Sequence, residues 1–190
     1  DAVAHLARRA GQVWPGRMTR RQLEHLIRAA ADIADDDEIV VVGSQSVLGQ
    51  FPDAPAELLV SVEADVFPRN RPERADVIDG SIGEGSPFHE TFGYYAQGVA
   101  EDTAVLPRGW KDRLVSLRNE NTRGATGWCL DAHDLVVSKL VAGREKDLVF
   151  ARVAARHALV DEPTLRARLA ATDLDDATRE RVAARIAALV

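Results

Sequence analysis

The sequence predicts a mixed α/β (α+β) fold: a small mixed sheet with an N-terminal helix before it and a C-terminal helical bundle beside it. Three observations lead there. Ile39-Val40-Val41-Val42 is a run of four β-branched residues stopped by Gly43, the mark of a buried strand. The stretch 61–67 alternates, with Val62, Ala64 and Val66 on one face and Glu63 and Asp65 on the other. From Asp131 the apolar spacing becomes helical and stays so, and strands first with helices last place a helical region beside a sheet.

Taken in order, residues 2–10 are Ala- and Arg-rich and read as a short helix, broken at Trp14-Pro15-Gly16. Thr19 is placed to cap a helix over 20–34, whose apolar stripe is Leu23, Leu26, Ile27 and Ala30. Residues 35–37 are three acids in a row and read as a solvated turn. The strand 39–42 leads into a short helix over 44–49, and Pro52 and Pro55 break the connection to the acidic strand. Residues 72–78 have helical spacing with Pro near the start. A glycine-rich loop, 80–85, precedes a helical turn over 87–92 capped by Ser86. Strands are expected at 94–99, 113–118 and 127–130. Asp131 or Asp134 opens a helix to about Ala142, Gly143 interrupts, and a second helix runs to about Leu159. Segments 163–170 and 176–189 complete the tail. The expected organisation is an N-terminal helical segment over 1–35, a core over 36–130 and a C-terminal helical region over 131–190.

The 46% hydrophobic content is enough for a real core in a chain of 190 residues. The net charge of −6 gives no bulk attraction to nucleic acid, although the 24 basic residues, nearly all Arg, can still form a local patch. One cysteine, Cys129, excludes an intrachain disulfide and a Cys-rich zinc site. With no signal peptide and no long apolar run, a cytoplasmic location without a membrane partner is expected. The first residue is Asp1 and not Met, which leaves room for residues upstream.

Four constellations carry chemistry. The turn at Gly43-Ser44 lets backbone approach a phosphate closely, and Ser44 adds a hydroxyl; an ordinary strand-to-helix turn needs the same residues. Spacing excludes two rivals. No Lys follows as a Walker A loop requires, and Ser46 lacks the flanking glycines of a hydrolase elbow. Glu63 and Asp65 sit ~6.5 Å apart along a strand, so their carboxylates can converge on one Mg²⁺ or Mn²⁺. The alternative is two surface acids paired with arginines. The loop 84–93, with Gly83 just before it, sets Glu84, Ser86, His89 and Glu90 among three glycines. His89 there is a candidate base or ligand, while Ser86 and Glu90 also fit a cap. Lys139 lies on an apolar helix face, where it either snorkels, reaches a cleft, or pairs with Asp134 or Asp147. Trp14, Trp110 and Trp128 read as packing residues.

Over about 23–160 the chain resembles the DUF6036 group of nucleotidyltransferase-like proteins, distant relatives of AbiEii-type toxin nucleotidyltransferases. The residues that carry the likeness are Val42 to Ser46, Glu63-Ala64-Asp65, Gly83 to Gly93, and Asp134 to Asp147 with Lys139, Arg144 and Lys146. The resemblance implies a nucleotidyltransferase-like core with an NTP as substrate and Mg²⁺ (or Mn²⁺) as cofactor. Glu63 and Asp65 would hold metal, Gly43, Ser44, Ser46, Lys139 and Arg144 would bind nucleotide, and Glu63, Asp65 and Lys139 would carry catalysis, with Glu84, His89 and Glu90 as possible additions. It implies a tRNA or protein acceptor and a cognate antitoxin as partner. One departure stands out: active members carry a third carboxylate on a later strand, and neither 94–99 nor 113–118 offers one facing inward, leaving Asp76, Asp79, Glu84 and Asp131 as substitutes. The alternative function is therefore a non-catalytic module that binds a nucleotide or a protein. A third reading is a metal hydrolase built on Glu84 and His89.

Overall fold

The computed structural model describes residues 16–189. The expected helix over 2–10, the break at Trp14-Pro15 and the packing role of Trp14 lie outside the described residues. Helix α1 (Arg20–Ala34) starts at a capping box, in which Thr19 and Gln22 satisfy each other's orphan amides. Its stripe of Leu23, Leu26, Ile27 and Ala30 is fully buried.

The sheet has five strands in the order β3-β2-β1-β5-β4. They are β1 (Glu38–Val42), β2 (Glu63–Pro68), β3 (Tyr95–Gly98), β4 (Val115–Leu117) and β5 (Thr126–Cys129). β1 pairs antiparallel with β2 and parallel with β5, β2 runs parallel to β3, and β4 is antiparallel to β5. The four-residue α2 (Val47–Gln50) follows β1, and α3 (Ala75–Ile82) with α4 (Pro87–Phe92) makes the crossover from β2 to β3. The tail is α5 (Ala132–Ala142), α6 (Glu145–Arg156), α7 (Glu162–Ala170) and α8 (Asp176–Ala187).

One apolar cluster takes Ile39, Val41, Ala64, Val66 and Cys129 from one sheet face together with α1, α3 and the tail helices. At Gly127 of β5 helix α1 packs close to the sheet, because a Cβ there would run into the Ile27 side chain. A smaller cluster covers part of the other face with Val40, Val42, Phe67 and Ala75, backed by Trp110 and Trp128. That second face also carries Glu63 and Asp65.

Several boundaries shift for identifiable reasons. β2 starts at Glu63 because the Ser61 hydroxyl accepts from the Glu63 amide, a local bond that competes with the ladder. β4 is short because residues Trp110–Arg113 form a 3₁₀ turn that delivers Arg113 to Asp134. Asp131 is the cap of α5, accepting from the amides of His133 and Asp134, while Asp134 turns inward. The acids at 35–37 are not all solvated, contrary to the reading from sequence. Asp36 is buried and accepts from the amides of Glu38, Asn70 and Arg71 and from the Asn70 side chain. Burial pushes its carboxyl up, but these hydrogen bonds, Asn70's first, outweigh it and hold it below the usual range.

Asp134 is the most demanding buried charge. Arg113 grips it through Nε at 2.8 Å and Nη2 at 2.9 Å, and Arg168 lies at 3.5 Å. Burial still leaves the carboxyl above its ordinary range, against the pull of Arg113 and Arg168. Asp134→Ala should therefore cost about 2–3 kcal/mol in urea unfolding, less than for a fully enclosed pair because Arg113 can regain some water. A loss under about 0.5 kcal/mol would show that the pair is not holding the β4 region to α5.

Candidate functional site

The antiparallel register sets Val42 opposite Asp65, so the turn that follows Val42 arrives beside the acidic strand. Gly43 has φ +71°, a left-handed conformation that an L side chain rarely adopts, and a Cβ there would lie 2.5 Å from Asp65 Oδ2. Both reasons demand glycine. Residues Ser44–Ser46 then form a 3₁₀ turn that runs into α2. Ser44 is half-buried at the turn. Ser46 is fully buried and its hydroxyl donates to the Gly43 carbonyl at 2.7 Å, so it braces the turn from inside. Gln45 is buried with neither amide atom partnered among the described residues, a state that costs about 1–3 kcal/mol.

Gly43 and Asp65 line a cleft of about 230 Å³. Its opposite wall is the α5–α6 junction, with Ser138, Lys139, Arg144 and Asp147, and apolar side chains such as Val42, Leu130 and Leu135 lie between. Gly143 makes this junction possible: it ends α5 in the left-handed region with φ 66°, and Arg144 starts α6 immediately after.

The two walls have opposite charge. On the acidic wall, burial pushes the Asp65 carboxyl up to about 7, assisted by the neighbouring Glu63, while Lys139 and Lys146 pull it down in part. On the basic wall Asp147 is 0% exposed and lies between two cations. Lys139 Nζ donates to Asp147 Oδ1 at 3.2 Å, and Arg144 Nε donates to Oδ2 at 2.7 Å. The Lys139 side chain is 11% exposed, and its ammonium lies 4.6 Å from the Phe150 ring centroid. Burial lowers its pKa, Asp147 opposes that, and Arg144 and Lys146 add to the lowering. Of the two partners expected for Lys139, Asp147 is the one it takes, since Asp134 belongs to Arg113.

Glu63 lies on the same strand face as Asp65, toward the β3 edge. Tyr95, its partner in the parallel β2–β3 register, donates its hydroxyl to Glu63 Oε2 at 2.6 Å. Burial first, then the Glu63, Glu84 and Asp65 charges, raise the Tyr95 pKa, so the phenol keeps its proton. The His89 ring lies 4.6 Å from the Tyr95 ring, and His89 Nδ1 accepts from the Gly85 amide at 3.0 Å. Ser86 caps α4 by accepting from the His89 amide. Glu84 and Glu90 are exposed. The glycine-rich loop therefore meets the acids through Tyr95, a residue whose role sequence reasoning missed. Its only sequence signal is an aromatic residue at the first position of a strand paired with β2. The residue opposite Asp65 on β3 is Gln97, so no carboxylate stands there.

A family model described as "Nucleotidyltransferase of unknown function (DUF6036)" matches residues 21–187. No curated protein and no solved structure matches the chain.

The state of Asp65 makes stability depend on pH. Below the ordinary carboxyl range, folded and unfolded chains both hold the proton. Between that range and about 7 the unfolded chain releases it while the folded chain keeps it, so stability falls as pH rises, and the full penalty is present above about 7. Asp65→Asn removes the penalty. Its stability gain over wild type should be larger at pH 7.5 than at pH 5, by on the order of 1–3 kcal/mol in paired urea titrations. An equal difference at the two pH values would mean that Asp65 ionises freely in the folded protein.

Proposed function

Because the chain belongs to the DUF6036 family, described as nucleotidyltransferases of unknown function, we propose that it transfers a nucleotidyl group from an NTP to an acceptor. The observation that carries this reading is the single cleft with Gly43 and Asp65 on one wall and Lys139 and Arg144 on the other, with Glu63 two residues before Asp65 on the same strand face. An acidic wall facing a basic wall suits a ligand that brings both a metal ion and a polyphosphate.

The donor chemistry fits Mg²⁺ or Mn²⁺. Among the described residues no group of three or more His, Cys, Asp or Glu side chains forms a metal cluster, so no all-protein cage is offered. Two carboxylates do suit Mg²⁺, which commonly takes one or two from the protein and the rest of its shell from water and phosphate. Glu63 and Asp65 would hold it. When bound, such an ion neutralises charge on the phosphoryl oxygens and orients an in-line displacement. The Asp65 carboxyl, raised to about 7 in the free protein, must give up its proton to serve as a ligand.

The protein's own groups have separate tasks. The Gly43-Ser44 turn admits phosphate oxygens close to backbone, with Ser46 bracing the turn. Lys139 and Arg144 meet the β- and γ-phosphates, and Asp147 fixes both cations. Tyr95 orients the Glu63 carboxylate. In the reaction an acceptor hydroxyl attacks the α-phosphorus as its proton passes to solvent water, the bond to the bridging oxygen of the β-phosphate breaks, and pyrophosphate leaves. Charge developing on pyrophosphate falls beside Lys139 and Arg144.

A second reading has one observation in its favour. Gln97 faces Asp65 where a third acid would be of use as a base, which suits a module that binds nucleotide without turning it over. An acceptor of tRNA or protein, and a cognate antitoxin, rest on the resemblance to AbiEii-type proteins alone.

Two titrations by calorimetry test the reading. Asp65→Asn should abolish Mg²⁺-dependent NTP binding without loss of stability, and wild-type affinity in this variant would remove the metal role. Lys139→Ala should weaken nucleoside triphosphate binding about tenfold or more while changing monophosphate binding by less than about twofold, because the ammonium answers charge on the outer phosphates. Equal loss for both nucleotides would reduce Lys139 to a clamp between α5 and α6.

A further inference from the structure

A second concavity lies on the other sheet face. It is about 250 Å³ in volume and is lined by Arg21, His25 and Arg28 of α1 together with Tyr94 and Asn121. Tyr94 immediately precedes β3 and Tyr95 begins it, so their side chains point to opposite sides of the chain. Tyr95 goes to the acids, and Tyr94 goes to α1, where its hydroxyl meets His25 Nδ1 at 2.6 Å.

Aromatic rings adjoin this basic hollow. The His25 ring lies 5.0 Å from Phe88 and 4.8 Å from Phe92, and Phe92 is 6.0 Å from Tyr94. Phe92 is 46% exposed, one of few large apolar side chains so open to solvent. Burial, then the charges of Arg28 and Arg123, lower the His25 pKa. Glu24 of α1 is already occupied: Asn119 and Asn121 donate to it and Arg20 lies at 3.3 Å. Arg28 gives one Nη1 bond to the Asn121 carbonyl, and Arg21 is exposed. In a chain of net charge −6, this is a local concentration of positive charge beside an open aromatic face.

α4 connects this patch to the cleft. It carries Phe88 and Phe92 against His25 on one side and His89 against Tyr95 on the other. β3 is an edge strand among the described residues, so the path between the two sites runs around an edge with no further described strand in the way.

We propose that Arg21, Arg28 and Phe92 form a docking site for single-stranded nucleic acid, whose end continues around the β3 edge toward the acidic cleft. The chemistry selects this ligand over an acidic peptide. The guanidinium groups would neutralise phosphates, and Phe92 would stack on a base, which is how sequence-tolerant single-strand sites combine charge with π-faces. Aspartate and glutamate side chains would use the charges but leave the ring exposed. The proposal names the acceptor class for the transfer reaction and rests on that reading for its purpose, but the docking itself needs neither NTP nor metal.

The test is fluorescence anisotropy with a labelled single-stranded RNA of about ten nucleotides, using the whole chain without NTP or divalent ion. Wild type should bind. Arg21→Glu and Phe92→Ala, both at exposed positions, should each raise Kd about tenfold. Arg21→Ala should lower the slope of log K against log salt by about 0.7. NTP binding by these variants should stay within about twofold of wild type. Absence of RNA binding at low salt, unchanged affinity in both variants, or equal competition by poly-glutamate would overturn the proposal. A chain that docks RNA through these residues but transfers no nucleotide would uphold the docking site and overturn the transferase reading instead.

Discussion

The register between β1 and β2 is the constraint on which the site depends. Val42 faces Asp65, so the residue after Val42 must pass against a carboxylate, and only glycine in a left-handed conformation fits there. A one-residue slip would carry Glu63 and Asp65 to the face occupied by α1 and the main core, where two carboxylates would be buried without partners. The apolar face of β2, with Ala64 and Val66 in the large cluster, prevents that slip. Core packing thus decides where the acids point.

The charges follow from this placement. Glu63 and Asp65 share one face with no salt bridge to either among the described residues, and Asp65 responds by keeping its proton to about 7. Across the cleft a single buried acid, Asp147, balances Lys139 and Arg144. Neither wall is neutral by itself. The basic wall is braced, because Asp147 also accepts from the Arg144 amide at the start of α6. The acidic wall is held at its outer end by the Tyr95–Glu63 bond. A ligand that carries both a cation and phosphates would relieve the imbalance on each side, whereas a ligand of one sign would relieve only one.

The β3 edge gives the molecule two working sides. Alternation sends Tyr94 and Tyr95 to opposite faces, and the six-residue α4 packs against both. The same short element therefore touches the aromatic–basic patch and the acidic cleft. This also accounts for the glycines around it: Gly85 gives its amide to His89, and Gly93 ends α4 in the left-handed region just before Tyr94.

Much of this was legible in the sequence because it is local. The buried run ending at Gly43, the acid-x-acid alternation, the caps at Thr19 and Ser86 and the break at Gly143 all express backbone preferences within a few residues, and the matching elements form where those preferences lead. The α+β class and the family likeness were legible for the same reason. What required tertiary structure was every pairing between distant segments. Periodicity could not say that Lys139 takes Asp147 while Asp134 takes Arg113, since neither acid stands three or four residues from Lys139 on one helix. It could not say that Ser46 turns inward while Gly43 abuts Asp65, or that Asp36 leaves a run of surface acids to accept amides from a turn 34 residues away. Tyr95 acquires its part only because β3 pairs in parallel with β2. A side chain's local pattern sets which face it occupies, but its charge partner and its burial depend on which segment folds against that face.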